Sequence, residues 1–99
     1  MIRHIVMVTV NGQTQDEKNQ QTLKAATMLE GLVGVVPGLR KMSVFANVVD
    51  APGNSDFVLV ADFDDERALA DYQTHPAHVE ALEYIGTIKV DRAAIDIDL

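Results

Sequence analysis

The sequence has no cysteine and no tryptophan, and its aromatic residues are two tyrosines and three phenylalanines. Without cysteine the chain can form neither a disulfide nor a catalytic thiolate, and a cytoplasmic location is expected. Because large aromatic side chains are scarce, a buried core must be built mainly from Val, Leu, Ile, Ala and Met.

Positive charge is also scarce, since 8 Lys and Arg stand against 15 Asp and Glu, for a net charge of −7. The average field therefore repels phosphate backbones and anionic lipid surfaces. No apolar run approaches the roughly 20 residues that span a bilayer, and the N-terminus lacks the small-residue cleavage site of a signal peptide. We expect no nucleic-acid or membrane partner.

The 99 residues predict one domain, covering positions 1–99, near the lower end of the size range that buries a comfortable core. Residues Ile2 to Val10 are rich in β-branched types and stop at a turn signal, which predicts a first strand. Thr14 and Glu17 have the spacing of a capping box, and the apolar periodicity that follows, through Val36, predicts a helix ended by Gly34 and Pro37-Gly38.

Two further strands are predicted at Leu39 to Val49 and Asp56 to Asp64, paired as a hairpin. Alternation at Arg92 to Leu99 predicts a terminal strand. With a helical region between the third and last strands, the order β-α-β-β-α-β predicts a ferredoxin-like α+β fold with an antiparallel sheet. Strands one and three are apolar on both faces, so the helix-free sheet face favours a homodimer through packed sheets.

A helix junction is predicted where the sequence reads Tyr72-Gln73-Thr74-His75-Pro76-Ala77-His78-Val79. Asp64-Asp65 can cap a short helix that runs through Tyr72. Pro76 interrupts that helix and is suited to the first position of the next, which leaves His75 as its N-cap. His75 and Pro76 are therefore predicted to be structural residues of the junction.

His78 is the candidate general base, because the positive end of the helix dipole in the first turn disfavours imidazolium. Tyr72 could serve the same cavity as a hydrogen-bond donor. The alternative is that Tyr72 packs between helix and sheet while His78 bonds a backbone carbonyl. His4 is predicted to be buried and hydrogen-bonded, or to be a second polar group of the pocket.

Metal and cofactor sites are not expected. His75 and His78 have an i, i+3 spacing that suits a ligand pair, but no third ligand follows with comparable spacing. The glycines also lack the pattern of a phosphate-binding loop.

Several segments resemble the stress-responsive A/B barrel (Dabb) family across essentially the whole chain. They are Arg3-His4-Ile5-Val6, Pro37-Gly38-Leu39, Asp56-Phe57-Val58-Leu59-Val60, the Tyr72 to Val79 block, and Asp91-Arg92 followed by Asp96. The resemblance implies a ferredoxin-like monomer that pairs through its sheets into a dimeric α+β barrel.

One branch of that family comprises polyketide cyclases with a helix histidine as base and a tyrosine partner, which match His78 and Tyr72. Their first helix also carries a tyrosine that this chain lacks. The expected role is binding of a small apolar or keto-type molecule in a pocket that includes His4, Met28 and Leu32. The alternatives are a cofactor-independent cyclase, lyase or isomerase using His78, and a small oxygenase of the same superfamily.

Overall fold

A computed structural model describes residues 1–99 as four strands and three helices. In chain order these are β1 (Ile2–Val10), α1 (Gln15–Glu30), β2 (Leu39–Ala46), β3 (Phe57–Phe63), α2 (Glu66–Thr74), α3 (Pro76–Ile88) and β4 (Lys89–Asp98). The strands form one antiparallel sheet in the order β2-β3-β1-β4. This is the ferredoxin-like arrangement, and the predicted fold class is confirmed.

The start of α1 follows the predicted cap closely. The Thr14 hydroxyl accepts a hydrogen bond from the Glu17 amide at 3.1 Å, while the Glu17 carboxylate accepts from the amide of Gln13 at 2.6 Å. The first bond satisfies an amide that a helix start would leave without a partner, and the second ties the residue before the cap to the first turn. None of the three helices is long and apolar enough to cross a membrane.

Helix α1 ends at Glu30, earlier than the end predicted at Gly34 and Pro37-Gly38. Gly31 and Gly34 weaken helical propensity over this stretch, and Gly34 takes a left-handed φ of 87° that a continuing helix forbids. Leu32 and Val36 are nevertheless buried, within successive turns. The apolar spacing therefore predicted burial correctly and helix length wrongly.

Strand β2 is also shorter than predicted, ending at Ala46 instead of Val49. The Asn47 side chain donates to the carbonyl of Val49 at 2.7 Å, and this local bond folds the chain into a loop. Asparagine competes with strand pairing in this way because its side chain can bond nearby backbone groups.

The helices cover one face of the sheet, and the core lies between them. Its largest fully buried side chains are Tyr72, Phe57, Phe63 and Leu29. The opposite face, called the open face here, has no covering layer, and the register brings apolar residues of all four strands together on it: Ile5, Met7, Phe45, Val58, Val60, Ile95 and Ile97. Met7, Phe45 and Ile95 are 47%, 58% and 60% exposed.

Strand β4 is exposed along its entire length, on both of its faces. Ile95 lies on the open face opposite Ile5, whereas Asp96 lies on the helix side opposite His4. Because the side chains of a strand alternate, β4 borders both the open face and the space beside the helices.

Candidate functional site

The junction between α2 and α3 positions the candidate residues. Asp65 caps α2 by accepting from the amide of Ala68 at 2.8 Å. His75 closes α2 in extended geometry, and its Nδ1 accepts from the amide of Ala77 at 3.1 Å, which caps α3. Pro76 is the first residue of α3. The junction thus needs His75 and Pro76 for its own geometry.

Three side chains from different elements meet beside this junction, and we call them the His-Tyr-His cluster: His4 of β1, Tyr72 of α2 and His78 of α3. The rings of Tyr72 and His78 stack, with centroids 3.8 Å apart and an interplanar angle of 27°. The His4 ring lies 6.5 Å from that of Tyr72 in an edge-on arrangement. Phe63 supports the cluster from β3, at 4.8 Å from Tyr72.

Two polar atoms of the cluster are buried without a hydrogen-bond partner, the phenol oxygen of Tyr72 and Nδ1 of His78. Such atoms are uncommon in folded proteins, and each unmade bond costs about 1–3 kcal/mol. Their residues are only 1% and 7% exposed. Each residue therefore holds a polar atom without a partner in the chain, and both residues line the cavity described below.

Burial keeps both rings uncharged near neutral pH. The pKa of His78 is lowered chiefly by burial; the carbonyls of Gln73 and Tyr72 act in the opposite direction, while His4 and Arg92 add to the lowering. Burial has the opposite effect on the pKa of Tyr72, which it raises, and Arg92 opposes that rise to a smaller extent. A neutral imidazole can accept a proton, and a neutral phenol can donate a hydrogen bond.

His4 is held by a carboxylate that the sequence analysis did not single out. Its Nδ1 lies 2.5 Å from Oδ1 of Asp96, the residue opposite it in the β1–β4 register. An ionised carboxylate only accepts, so Nδ1 carries the hydrogen and Nε2 of a neutral His4 keeps a free lone pair. Alternation in β4 had already placed Asp96 opposite the apolar face, which was the available signal.

A cavity of about 430 Å³ lies beside the cluster, between the sheet and the helices. Its walls are mostly apolar, with Tyr72, His78 and His4 among them. The lining residues are His4, Val6, Val8, Leu29, Leu59, Tyr72, Gln73, His78, Leu82, Ile85, Lys89 and Arg92. Exposed Leu82, Lys89 and Arg92 mark its mouth.

Of the predicted pocket residues in α1 and the turn after it, Met28 packs partly buried against the core and Leu32 is buried within it. Neither lines the cavity, whereas their neighbour Leu29 does. Successive helix residues point about 100° apart, so the sequence could select the helix but not the wall residue. No group of three or more His, Asp or Glu side chains is arranged as a metal site.

The fold and the site together define a ferredoxin-like α+β protein with a histidine- and tyrosine-lined cavity between sheet and helices. The model of the stress responsive A/B barrel domain (Dabb) family matches residues 2–99, and the chain belongs to this family. In the comparison with curated proteins, no sequence matches the chain.

Two similar crystal structures are of dimeric ferredoxin-like proteins of unknown function. The one from Bacteroides fragilis is 27% identical, covers 99% of this chain and 95% of its own, and superposes with a TM-score of 0.86. The one from Thermobifida fusca is 34% identical, covers 99% of this chain and 90% of its own, and has a TM-score of 0.80.

A third structure, of an antibiotic biosynthesis monooxygenase candidate from Nitrosomonas europaea, shares the fold at 16% identity. It covers 100% of this chain and 98% of its own, with a TM-score of 0.78. At this identity the likeness concerns the fold alone.

Proposed function

We propose that the protein binds a small, mainly apolar ketone in the cavity beside the His-Tyr-His cluster. The observation that carries this proposal is that Tyr72 and His78, which line a mostly apolar cavity, each hold a buried polar atom without a hydrogen-bond partner. A cavity with a few convergent polar groups is the usual form of a small-molecule site. A ketone suits it because its oxygen accepts from Tyr72 and its carbon skeleton packs against Val6, Leu59 and Ile85.

A second candidate function is cofactor-independent enolisation of the same ketone, favoured by the neutral state of His78 and by the Asp96-held His4 nearby. Nδ1 of His78 would take a proton from the carbon next to the carbonyl. The electron pair of that C–H bond then forms the enolate, whose oxygen receives the Tyr72 hydrogen bond. Such an enolate is the common starting point of isomerase and aldol-type cyclase chemistry. The oxygenase alternative has only fold similarity behind it.

Binding can be tested with phenylacetone as the probe, by NMR titration of the wild type and of Tyr72→Phe. Loss of one hydrogen bond should weaken binding about fivefold, equivalent to about 1 kcal/mol. Tyr84→Phe is the matched control, because Tyr84 packs beside Lys24 outside the cavity and should leave affinity unchanged. Absence of any binding to the wild type would contradict the proposal.

The enolisation step can be followed in the same samples by exchange of the α-protons of phenylacetone in D₂O. The wild type should accelerate exchange, and His78→Gln should bring the rate to that of buffer while leaving the fold intact. Binding without accelerated exchange would remove the enzymatic candidate and retain the binding function.

We also propose that the protein forms a homodimer through the open face. The apolar side chains collected there exceed what a small monomer usually leaves exposed, and the two similar proteins described above are dimeric. Packing the open faces of two copies together would bury Met7, Phe45 and Ile95, which water now reaches.

A further inference from the structure

The charges at the cavity mouth differ from those of the rest of the chain. The whole sequence has 15 acidic residues and 8 basic ones. Among the 12 residues that line the cavity, by contrast, none is Asp or Glu and two are cations, Lys89 and Arg92. A strongly acidic protein therefore presents a locally positive entrance to its cavity.

Neither cation is neutralised by a carboxylate partner. The four salt bridges of the structure are Arg3–Asp62, His4–Asp96, Lys18–Asp56 and Arg40–Asp64. Arg92 bonds Asp91 only through its backbone amide. Asp96 lies on the same side of β4 but four residues farther along, about 13 Å away at the usual strand rise, and it is bonded to His4.

The guanidinium of Arg92 is also close enough to act on the cluster. Its charge acts to lower the pKa of both Tyr72 and His78: it adds to the larger effect of burial on His78, and it opposes the larger effect of burial on Tyr72, whose pKa is raised. The strand register also places Arg92 beside the cavity, because Arg92 pairs with Val8, which lines the cavity together with His4 and Val6. One cavity thus has hydrogen-bonding groups inside, apolar walls, and free positive charge at the mouth.

We propose that the ligand of this cavity is an anion, an apolar keto carboxylate whose carboxylate binds Arg92 and Lys89. This inference rests on the proposed function, in which the carbonyl oxygen accepts a hydrogen bond from Tyr72. Arginine offers a planar fork of donors that matches a carboxylate, and lysine adds a point charge. The acidic remainder of the surface repels the same anion, so the mouth is where it would be retained.

The experiment compares 4-benzoylbutyrate with its neutral amide, 4-benzoylbutyramide, which has nearly the same size and the same ketone. Calorimetric titration of the wild type at low ionic strength should show the carboxylate binding about tenfold tighter or more. Arg92→Met should remove most of that preference and Arg92→Lys should keep part of it. Arg67→Met, the same charge change at an exposed residue outside the cavity, should leave the preference intact.

Equal binding of acid and amide to the wild type would overturn the anion inference, as would a preference that survives both Arg92→Met and Lys89→Met. Failure of both compounds to bind while phenylacetone binds would also overturn it and leave the proposed function standing. If phenylacetone fails as well, the proposed function falls with it. Both mutated side chains are exposed, and the acid–amide comparison on the wild type decides the matter should either variant not fold.

Discussion

Tyr72 and His78 stack on each other although six positions and a helix break separate them. Their proximity could be anticipated because Pro76 forces a junction between them. Alternation in β4 put Asp96 opposite the apolar face, but it could not show that Asp96 holds His4 or that Arg92 lines the cavity. Both placements depend on how β4 pairs with β1, nearly ninety positions earlier in the chain. Residue roles that rest on local geometry were thus accessible, whereas those that rest on non-local register were not.

The lowered pKa of His78 predicts a pH-dependent stability. A histidine whose pKa falls on folding stabilises the native state fully above its unfolded value of about 6.5, and this contribution is lost as pH falls toward the folded value. The free energy of unfolding should therefore drop more between about pH 7.5 and about pH 5 in the wild type than in His78→Gln. Urea denaturation at the two pH values measures this, and equal drops would contradict the assignment.

At the scale of the elements, caps and turn residues decided most boundaries. Thr14, Asp65 and Pro76 marked helix starts that the structure retains. The end of α1 was missed because Leu32 and Val36 continue the apolar spacing of the helix while lying in turns. Apolar periodicity predicts which side chains are buried, but it does not predict whether the backbone that carries them is helical or folded in turns.

The cap at the α2–α3 junction predicts a matched pair of variants. His75→Ala removes the acceptor for the Ala77 amide and should lower the free energy of unfolding by about 1 kcal/mol. His75→Asn supplies a short oxygen acceptor at the same position and should stay within a few tenths of a kcal/mol of the wild type. Chemical denaturation distinguishes the two, and an alanine variant as stable as the wild type would show that the bond contributes nothing.

For the whole molecule, the order of strands and the apolar character of both sheet faces followed from alternation in β1 and β3. The sequence also indicated that the helix-free face needs a covering partner. The sequence did not predict that the helix side of β4 is also exposed. No helix packs there, and the cavity mouth lies there. Helix placement over a sheet is a tertiary property that alternation within a strand does not encode.

The proposed dimer predicts that a charge on the open face will separate the two copies. Ile95→Asp places a carboxylate among the apolar side chains of that face, on its edge strand β4, and should yield a species near the chain mass of 10.8 kDa in sedimentation at micromolar concentration. Val48→Asp makes a comparable change in a 91% exposed loop residue and should remain dimeric. A wild type that sediments as the single chain would refute the dimer outright.

Strand β4 alternates between two environments, with Ile95 toward the open face and Arg92, Asp96 toward the cavity side. A second copy and a ligand would therefore contact the same strand, β4, from opposite sides of the sheet. If either the ligand or the second copy orders β4, the other partner loses less conformational entropy when it binds. This coupling is reciprocal, so each partner strengthens the binding of the other. Saturation of the cavity with ligand should therefore strengthen dimerisation through the open face, although only the thickness of one strand separates the two sites.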